Sequence, residues 1–236
     1  MVIGHRGFPT CFTENTILSV KKAIEVGADG VEVDVRISKD GIPVLIHDED
    51  LARVFGVFGR VSELSVRELK ELTNGLIPTL QELVEALPSG KLLNVELKED
   101  KEVQKVLEVA TKYEGEVVFS SFNLDLLDER LKGKKYGYLV NEENYGTVES
   151  FLERVYQVRP YSLHLPYQAL SLEVVRKVCE KLKMDLGTKI FVWTLNDPEV
   201  LASMRDVVDA VITDEVEKFV KVVKGCTRNS WISGEG

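Results

Sequence analysis

Cysteine is scarce in this chain, with three among 236 residues. Cys11, Cys179 and Cys226 lie far apart and make no Cys-x-x-Cys pair, a pattern that predicts free thiols in a reducing cytoplasm. No stretch approaches the roughly 18 consecutive apolar residues of a membrane span. The first residues, MVIGHRG, have neither the basic start nor the apolar run of a secretory leader. No stable membrane association is expected. Basic blocks are also missing, and with a net charge of −9 nucleic acid is not an expected partner. A small anionic substrate is compatible with that charge, because one local cation overrides the global field. Histidine is as rare as cysteine, and two of the three, His5 and His47, fall at the ends of predicted strands.

What is present is a regular alternation. Short apolar runs occur at 2–6, 30–37, 43–47, 92–97, 116–120, 136–140, 161–165, 189–194 and 209–213. Amphipathic helical patterns occupy 16–26, 79–87, 101–113, 146–157, 171–184, 197–204 and 214–223. Strands alternating with helices predict a parallel sheet with helical crossovers, and this length suits an α/β (β/α)8 TIM barrel in one domain, 1–225. Nine strands are one too many. Runs 30–37 and 43–47 are separated only by SKDGI, which is hairpin chemistry, so 43–47 is read as an antiparallel return strand. The turn then brings His47 back to about the level of Asp34. Residues 51–75 interrupt the rhythm and read as a small insertion with a helix at 65–72, and 226–236 has the composition of a loose tail.

The strand VEVDVRI carries two acids inside an apolar run. Strand side chains alternate, so Val31, Val33 and Val35 face the helices while Glu32 and Asp34 face the barrel interior. The same parity turns Leu93, Val95 and Leu97 outward and Asn94, Glu96 and Lys98 inward. Catalytic groups of such barrels cluster at the C-terminal strand ends, which gathers His5, Arg6, Glu32, Asp34, His47, Glu96 and Lys98 at one mouth. Ion pairing by Arg6 and Lys98 is one way to satisfy the three acids. The other is one divalent cation, and an oxygen-only donor set suits Mg²⁺, Ca²⁺ or Mn²⁺ rather than zinc. Two imidazoles beside such a cation can divide general acid and base roles, and Arg6 with Lys98 offers a cationic clamp for a phosphoryl group. That combination points to phosphate-ester chemistry.

These residues resemble the glycerophosphodiester phosphodiesterase family. The likeness rests on His5-Arg6-Gly7, Glu14-Asn15-Thr16, Glu32-x-Asp34-Val35, His47-Asp48 and Ile77-Pro78-Thr79-Leu80. It continues through Val95-Glu96-Leu97-Lys98, Ser120-Ser121-Phe122-Asn123, Val192-Trp193-Thr194 and Ile212-Thr213-Asp214. The resemblance implies a distorted TIM barrel that hydrolyses glycerophosphodiesters to sn-glycerol 3-phosphate and an alcohol. It implies metal ligands at Glu32, Asp34 and Glu96, an acid–base pair at His5 and His47, and phosphate contacts at Arg6 and Lys98. The family pattern after His47-Asp48 usually runs Arg-Thr-Thr, whereas here Arg53 is followed by Val54-Phe55-Gly56.

Several residues keep two readings. Glu14 either belongs to a helix cap with Asn15 and Thr16 or orients the site. His164, inward by parity with Ser162, either lines the substrate pocket or is a core histidine. Trp193 shares a face with Phe191, which parity assigns to the helix side, whereas the resemblance puts it at the substrate pocket. Cys11 reads as a packing residue rather than a nucleophile. Val54, Phe55, Val57 and Phe58 either pack the insertion or form an apolar lip. Rival functions are a lysophospholipase-D-like activity, a glycoside hydrolase and a non-catalytic phosphate-ester binder. Headgroup preference and oligomeric state stay open at this level.

Overall fold

All nine apolar runs become strands in the computed structural model of the chain, which describes residues 1–141 and 146–225. The expected tail at 226–236, with Cys226, lies outside the described residues. The strands are β1 (Val2–His5), β2 (Gly30–Ile37), β3 (Pro43–Leu45), β4 (Leu92–Leu97) and β5 (Glu116–Ser121). They continue as β6 (Tyr136–Leu139), β7 (Ser162–Pro166), β8 (Lys189–Trp193) and β9 (Ala210–Thr213). Neighbours run β1-β9-β8-β7-β6-β5-β4-β2, and β1 pairs with β2, so eight parallel strands close on themselves as a TIM barrel.

The ninth strand is the antiparallel return. β3 pairs with the far end of β2 in the register Val35↔Leu45, Arg36↔Val44 and Ile37↔Pro43. β1 covers the same edge only from Gly30 to Glu32, so β3 takes over where β1 stops. Beyond β3, the Ile46 amide still donates to the Asp34 carbonyl at 3.1 Å, which keeps His47 beside the inward carboxylates.

Among the described residues ten helices surround this frame: α1 (Ile17–Glu25), α2 (Ala52–Phe55), α3 (Val66–Leu72), α4 (Leu80–Ala86) and α5 (Val103–Ala110), then α6 (Leu124–Arg130), α7 (Val148–Val158), α8 (Glu173–Leu186), α9 (Pro198–Ala202) and α10 (Val216–Gly225). Two of them, α2 and α6, have no counterpart in the sequence reading. α2 has only four residues, too few to show a helical period. α6 is nonetheless capped by Asn123, whose Oδ1 accepts from the Leu126 amide at 3.1 Å.

Parity divides the apolar residues into two layers. Val31, Val33 and Val35 pack outward with Leu93, Val95 and Leu97 against the helices. Ile3, Leu92, Val118, Phe191, Ala210 and Ile212 fill the barrel below the mouth. Residues 51–75 form their own small cluster: Leu51 and Leu69 pack with Val61 and Ile77 on Val44 and Ile46. The insertion is thus laid on the outer face of β3 and reaches the mouth from that side.

Candidate active site

Strand register assembles the acids. Asp34 of β2 stands opposite Glu96 of β4, and Glu32 stands opposite His5 of β1. Ligand oxygens of Glu32, Asp34 and Glu96 all lie within 4.8 Å of one another. Glu32 is 3% exposed and Asp34 1%, so neither charge is relieved by water. Burial, and then the neighbouring Asp34, pushes the Glu32 carboxyl up to about 8. Glu96 is also raised, by burial and by Asp34. Asp34 moves the other way: burial is outweighed by Lys98 and Arg6, which hold it below its ordinary value.

The protein's own cations only partly balance the cluster. The Lys98 ammonium donates to Glu96 and lies 3.3 Å from Asp34 Oδ1, while Arg6 Nε lies 3.0 Å from Asp34 Oδ2. Glu32 Oε1 and Asp34 Oδ1 are buried and accept no hydrogen bond, Lys98 facing Asp34 Oδ1 as an ion pair only. Orphaned carboxylate oxygens facing one point in an all-oxygen donor set fit a hard divalent cation. Asn15 completes the frame of Asp34: its Nδ2 donates to Asp34 Oδ2 at 2.9 Å and its Oδ1 accepts from the Asp34 amide at 3.1 Å. It does so from a left-handed backbone, φ 56°, a conformation in which asparagine is among the favoured residues.

The loop after β1 is shaped for the same purpose. Arg6 has φ 54°, and its amide donates to Glu32 Oε2 at 3.0 Å. Its guanidinium donates to Glu14 Oε1 at 2.9 Å. Glu14 in turn accepts two hydrogen bonds from Arg53 of the insertion. The cap of α1 is Thr16, whose side chain accepts from the Ser19 amide. Glu14 therefore orients Arg6 and ties the insertion to the barrel.

Each mouth histidine is anchored through Nδ1. His5 Nδ1 donates to Asp214 at 2.7 Å, leaving Nε2 to face Glu32 at 3.9 Å. Asn196 donates to the other oxygen of Asp214 at 2.8 Å, and its own Oδ1 accepts from the Asp214 amide and from Thr213. Burial opposes protonation of His5, but Asp214 and Glu32 outweigh it and raise its pKa. His47 Nδ1 donates to Asp48 at 2.7 Å, and Arg53 donates to the second oxygen of Asp48. Burial lowers His47, with Asp34 and Asp48 offsetting only part of it. Asp48 is held at about 2, where Arg53 and His47 outweigh its burial.

The polar lining expected from β7 and β8 needs correction. His164 is 0% exposed, with Nε2 on Ser162 Oγ at 2.8 Å and its ring stacked on Phe191 at 4.8 Å. It is a core histidine, held neutral by burial with a pKa near about 3, and not a pocket wall. Phe191, read as facing the helices, lies inside the barrel, and Trp193 packs against that inner cluster. Both faces of KIFVW are apolar, so hydrophobicity alone could not tell inside from outside. Trp193 is half-buried at the mouth, donating to the His164 carbonyl at 2.9 Å and standing edge-on to Phe122 at 5.8 Å. In the insertion, Phe55 and Val57 pack inward and Phe58 is 96% exposed. Cys11 and Cys179 are free thiols.

The model of the glycerophosphoryl diester phosphodiesterase family matches residues 5–218. The chain belongs to that family. By that kinship it is a phosphoric diester hydrolase. A glycerophosphodiester phosphodiesterase of Caldanaerobacter subterraneus is 33% identical, with 95% of this chain and 98% of that one covered. The crystal structure of a glycerophosphodiester phosphodiesterase from Thermotoga maritima superimposes with a TM-score of 0.91 at 53% identity, over 94% of this chain and 97% of its own. A phosphodiesterase of Oleispira antarctica, solved with the product sn-glycerol-3-phosphate, gives a TM-score of 0.82 at 28% identity, over 95% and 96% of the two chains. Family membership accounts for the order of the motifs. The partners Asp214 and Asn196 come from the last two strand ends; the sequence shows Asp214 within the motif Ile212-Thr213-Asp214 but gives it no role, and nothing in the sequence singles out Asn196.

Proposed function

We propose that this protein hydrolyses glycerophosphodiesters to sn-glycerol 3-phosphate and an alcohol, with His5 and His47 as its acid–base pair. The observation that carries the reading is the meeting of three buried carboxylates with two imidazoles, each oriented by its own aspartate. Glu32, Asp34 and Glu96 would hold one divalent cation, Mg²⁺, Ca²⁺ or Mn²⁺, which when bound neutralises charge developing on the phosphoryl oxygens. Arg6, fixed by Glu14, and Lys98 add positive charge to the same place. One imidazole takes the proton of the attacking hydroxyl as the new P–O bond forms. The other gives a proton to the departing alkoxide as the old P–O bond breaks. With Nδ1 of each ring committed to an aspartate, Nε2 is the atom that exchanges the proton. Trp193 and Phe122 offer an apolar wall to the substrate. The catalytic unit spans residues 1–225 and works in the cytoplasm, where Cys11 and Cys179 stay reduced.

The test offers glycerophosphocholine and glycerophosphoethanolamine with Mg²⁺, Mn²⁺ or Ca²⁺, against an EDTA control, and follows sn-glycerol 3-phosphate. Product is expected only with a divalent cation. His5→Ala and His47→Ala should each lose about 10²- to 10⁴-fold in kcat while keeping the fold. Full turnover by either variant, or in EDTA, contradicts the assignment.

A further inference from the structure

A phosphodiester has two alcohol arms, and two of the recesses among the described residues share side chains with the mouth. The smaller recess, about 280 Å³, is bounded by His5, Arg6, Glu14 and Asp214. The larger, about 440 Å³, lies between the stem of the insertion and the loop after β4. Its size falls in the range of small-molecule pockets, about 300–1,000 Å³. Two of its walls connect it to the reacting centre. Lys98 lines it and also reaches Asp34 and Glu96, and Arg36 lines it while donating to the His47 carbonyl at 2.7 Å. The cavity thus adjoins the mouth through Lys98 and through the Arg36 bond that holds the His47 backbone.

The cavity's charges divide into two groups. Arg36 is already joined to Glu99 at 3.1 Å, and Lys98 to the acids of the cluster, so these belong to the frame. Glu49 and Arg60, from the insertion, are 68% and 65% exposed with 4.0 Å between their charged atoms, and the exposed Asp100 stands across from them on the loop after β4. A rim with exposed charges of both signs suits a small hydrophilic group whose ammonium or hydroxyls find partners.

We propose that this cavity receives the leaving-alcohol arm, an amino-alcohol or polyol headgroup, and that Glu49 and Arg60 set which headgroup is preferred. The inference rests on the phosphodiesterase reading above and adds the place and the determinants of headgroup choice. Glu49 favours an ammonium-bearing alcohol and Arg60 disfavours it, so reversing each charge should move the preference in opposite directions.

The experiment measures kcat and KM for glycerophosphocholine and glycerophosphoglycerol in the cation-loaded wild type, Glu49→Lys and Arg60→Glu, with melting curves as a check of folding. The ratio of kcat/KM, choline over glycerol substrate, should fall about threefold to fivefold in Glu49→Lys and rise by a similar factor in Arg60→Glu, as for exposed charge pairs. The change should sit in KM, and both shifts should shrink as salt shortens the screening length. Ratios that stay put in both folded variants, or move the same way, overturn the subsite. If the wild type turns over neither substrate, the phosphodiesterase reading itself fails, an outcome distinct from turnover with an unmoved ratio.

Discussion

Two imidazoles face one cluster of acids, and each is held through Nδ1 by a different aspartate. Asp214 is the positioning residue for His5, and it is itself fixed by Asn196 rather than by a cation. Asp214→Asn should lower kcat on the order of 10²-fold with a much smaller effect on KM, because a misoriented or wrong tautomer harms proton transfer more than binding. Asp214→Glu should recover part of the loss, whereas a purely structural role would show as a lower melting temperature in both variants. Deeper in the barrel, His164 makes a stability prediction. Its folded pKa of about 3 lies far below the ordinary value of 6.5, so it stays neutral in the fold and protonates first in the unfolded chain. Its contribution is complete above pH 6.5 and is lost as pH falls toward 3, at up to about 1.4 kcal/mol per pH unit. Denaturant titrations at pH 7 and pH 5 should differ between wild type and His164→Gln by that slope, because the opposing contributions of Glu32 and His5 are common to both proteins.

Two elements deliver the site, and their turns carry the strain. The loop after β1 folds back so tightly that a Cβ on Gly7, at φ 92°, would lie 2.5 Å from Ser19 Oγ and 2.7 Å from the Ser19 carbonyl carbon. Gly7→Ala should destabilise the protein by about 1–3 kcal/mol and, by displacing Arg6 and the amide that donates to Glu32, cut activity even where the chain is folded. Chemical denaturation together with turnover separates the two effects. The hairpin of β2 and β3 was legible because its turn is short and carries Asp40-Gly41, which leaves a crossover no room. β8 was not legible to the same degree. Its side chains are apolar on both faces, because one face meets helices and the other meets the filled barrel, so alternation carried no sign of which was which.

At the scale of the whole molecule, closure of the barrel joins residues far apart in the sequence. β1 meets β2 on one side and β9 on the other, so residues from both ends of the chain, His5 and Asp214, become hydrogen-bond partners. Pairing of β2 with β4 sets Glu32, Asp34 and Glu96 within 4.8 Å of one another in a buried place. A cation that binds only the folded form should therefore stabilise it, by about 2.7 kcal/mol at a hundredfold excess over Kd. For a chain of this size that is roughly 5–10 °C in melting temperature. Glu32→Gln should remove most of that response, and an unchanged melting curve on adding Mg²⁺, Mn²⁺ and Ca²⁺ to the wild type would contradict the metal site. Among the described residues no helix is long and apolar enough to cross a membrane.

The amino-acid sequence alone determined the alternation of strands and helices, the hairpin, and the inward direction of Glu32, Asp34 and Glu96. Each of these follows from local periodicity or turn chemistry, which neighbouring residues specify. Tertiary structure decided what depends on distance across the barrel. It joined Asp214 to His5, set Glu14 between Arg6 and Arg53, and chose the core over the pocket wall for His164. It also opened a charged cavity between the insertion and the loop after β4. Periodicity tells a side chain which face to take, but only the closed barrel fixes how deep it lies and whose charge it meets.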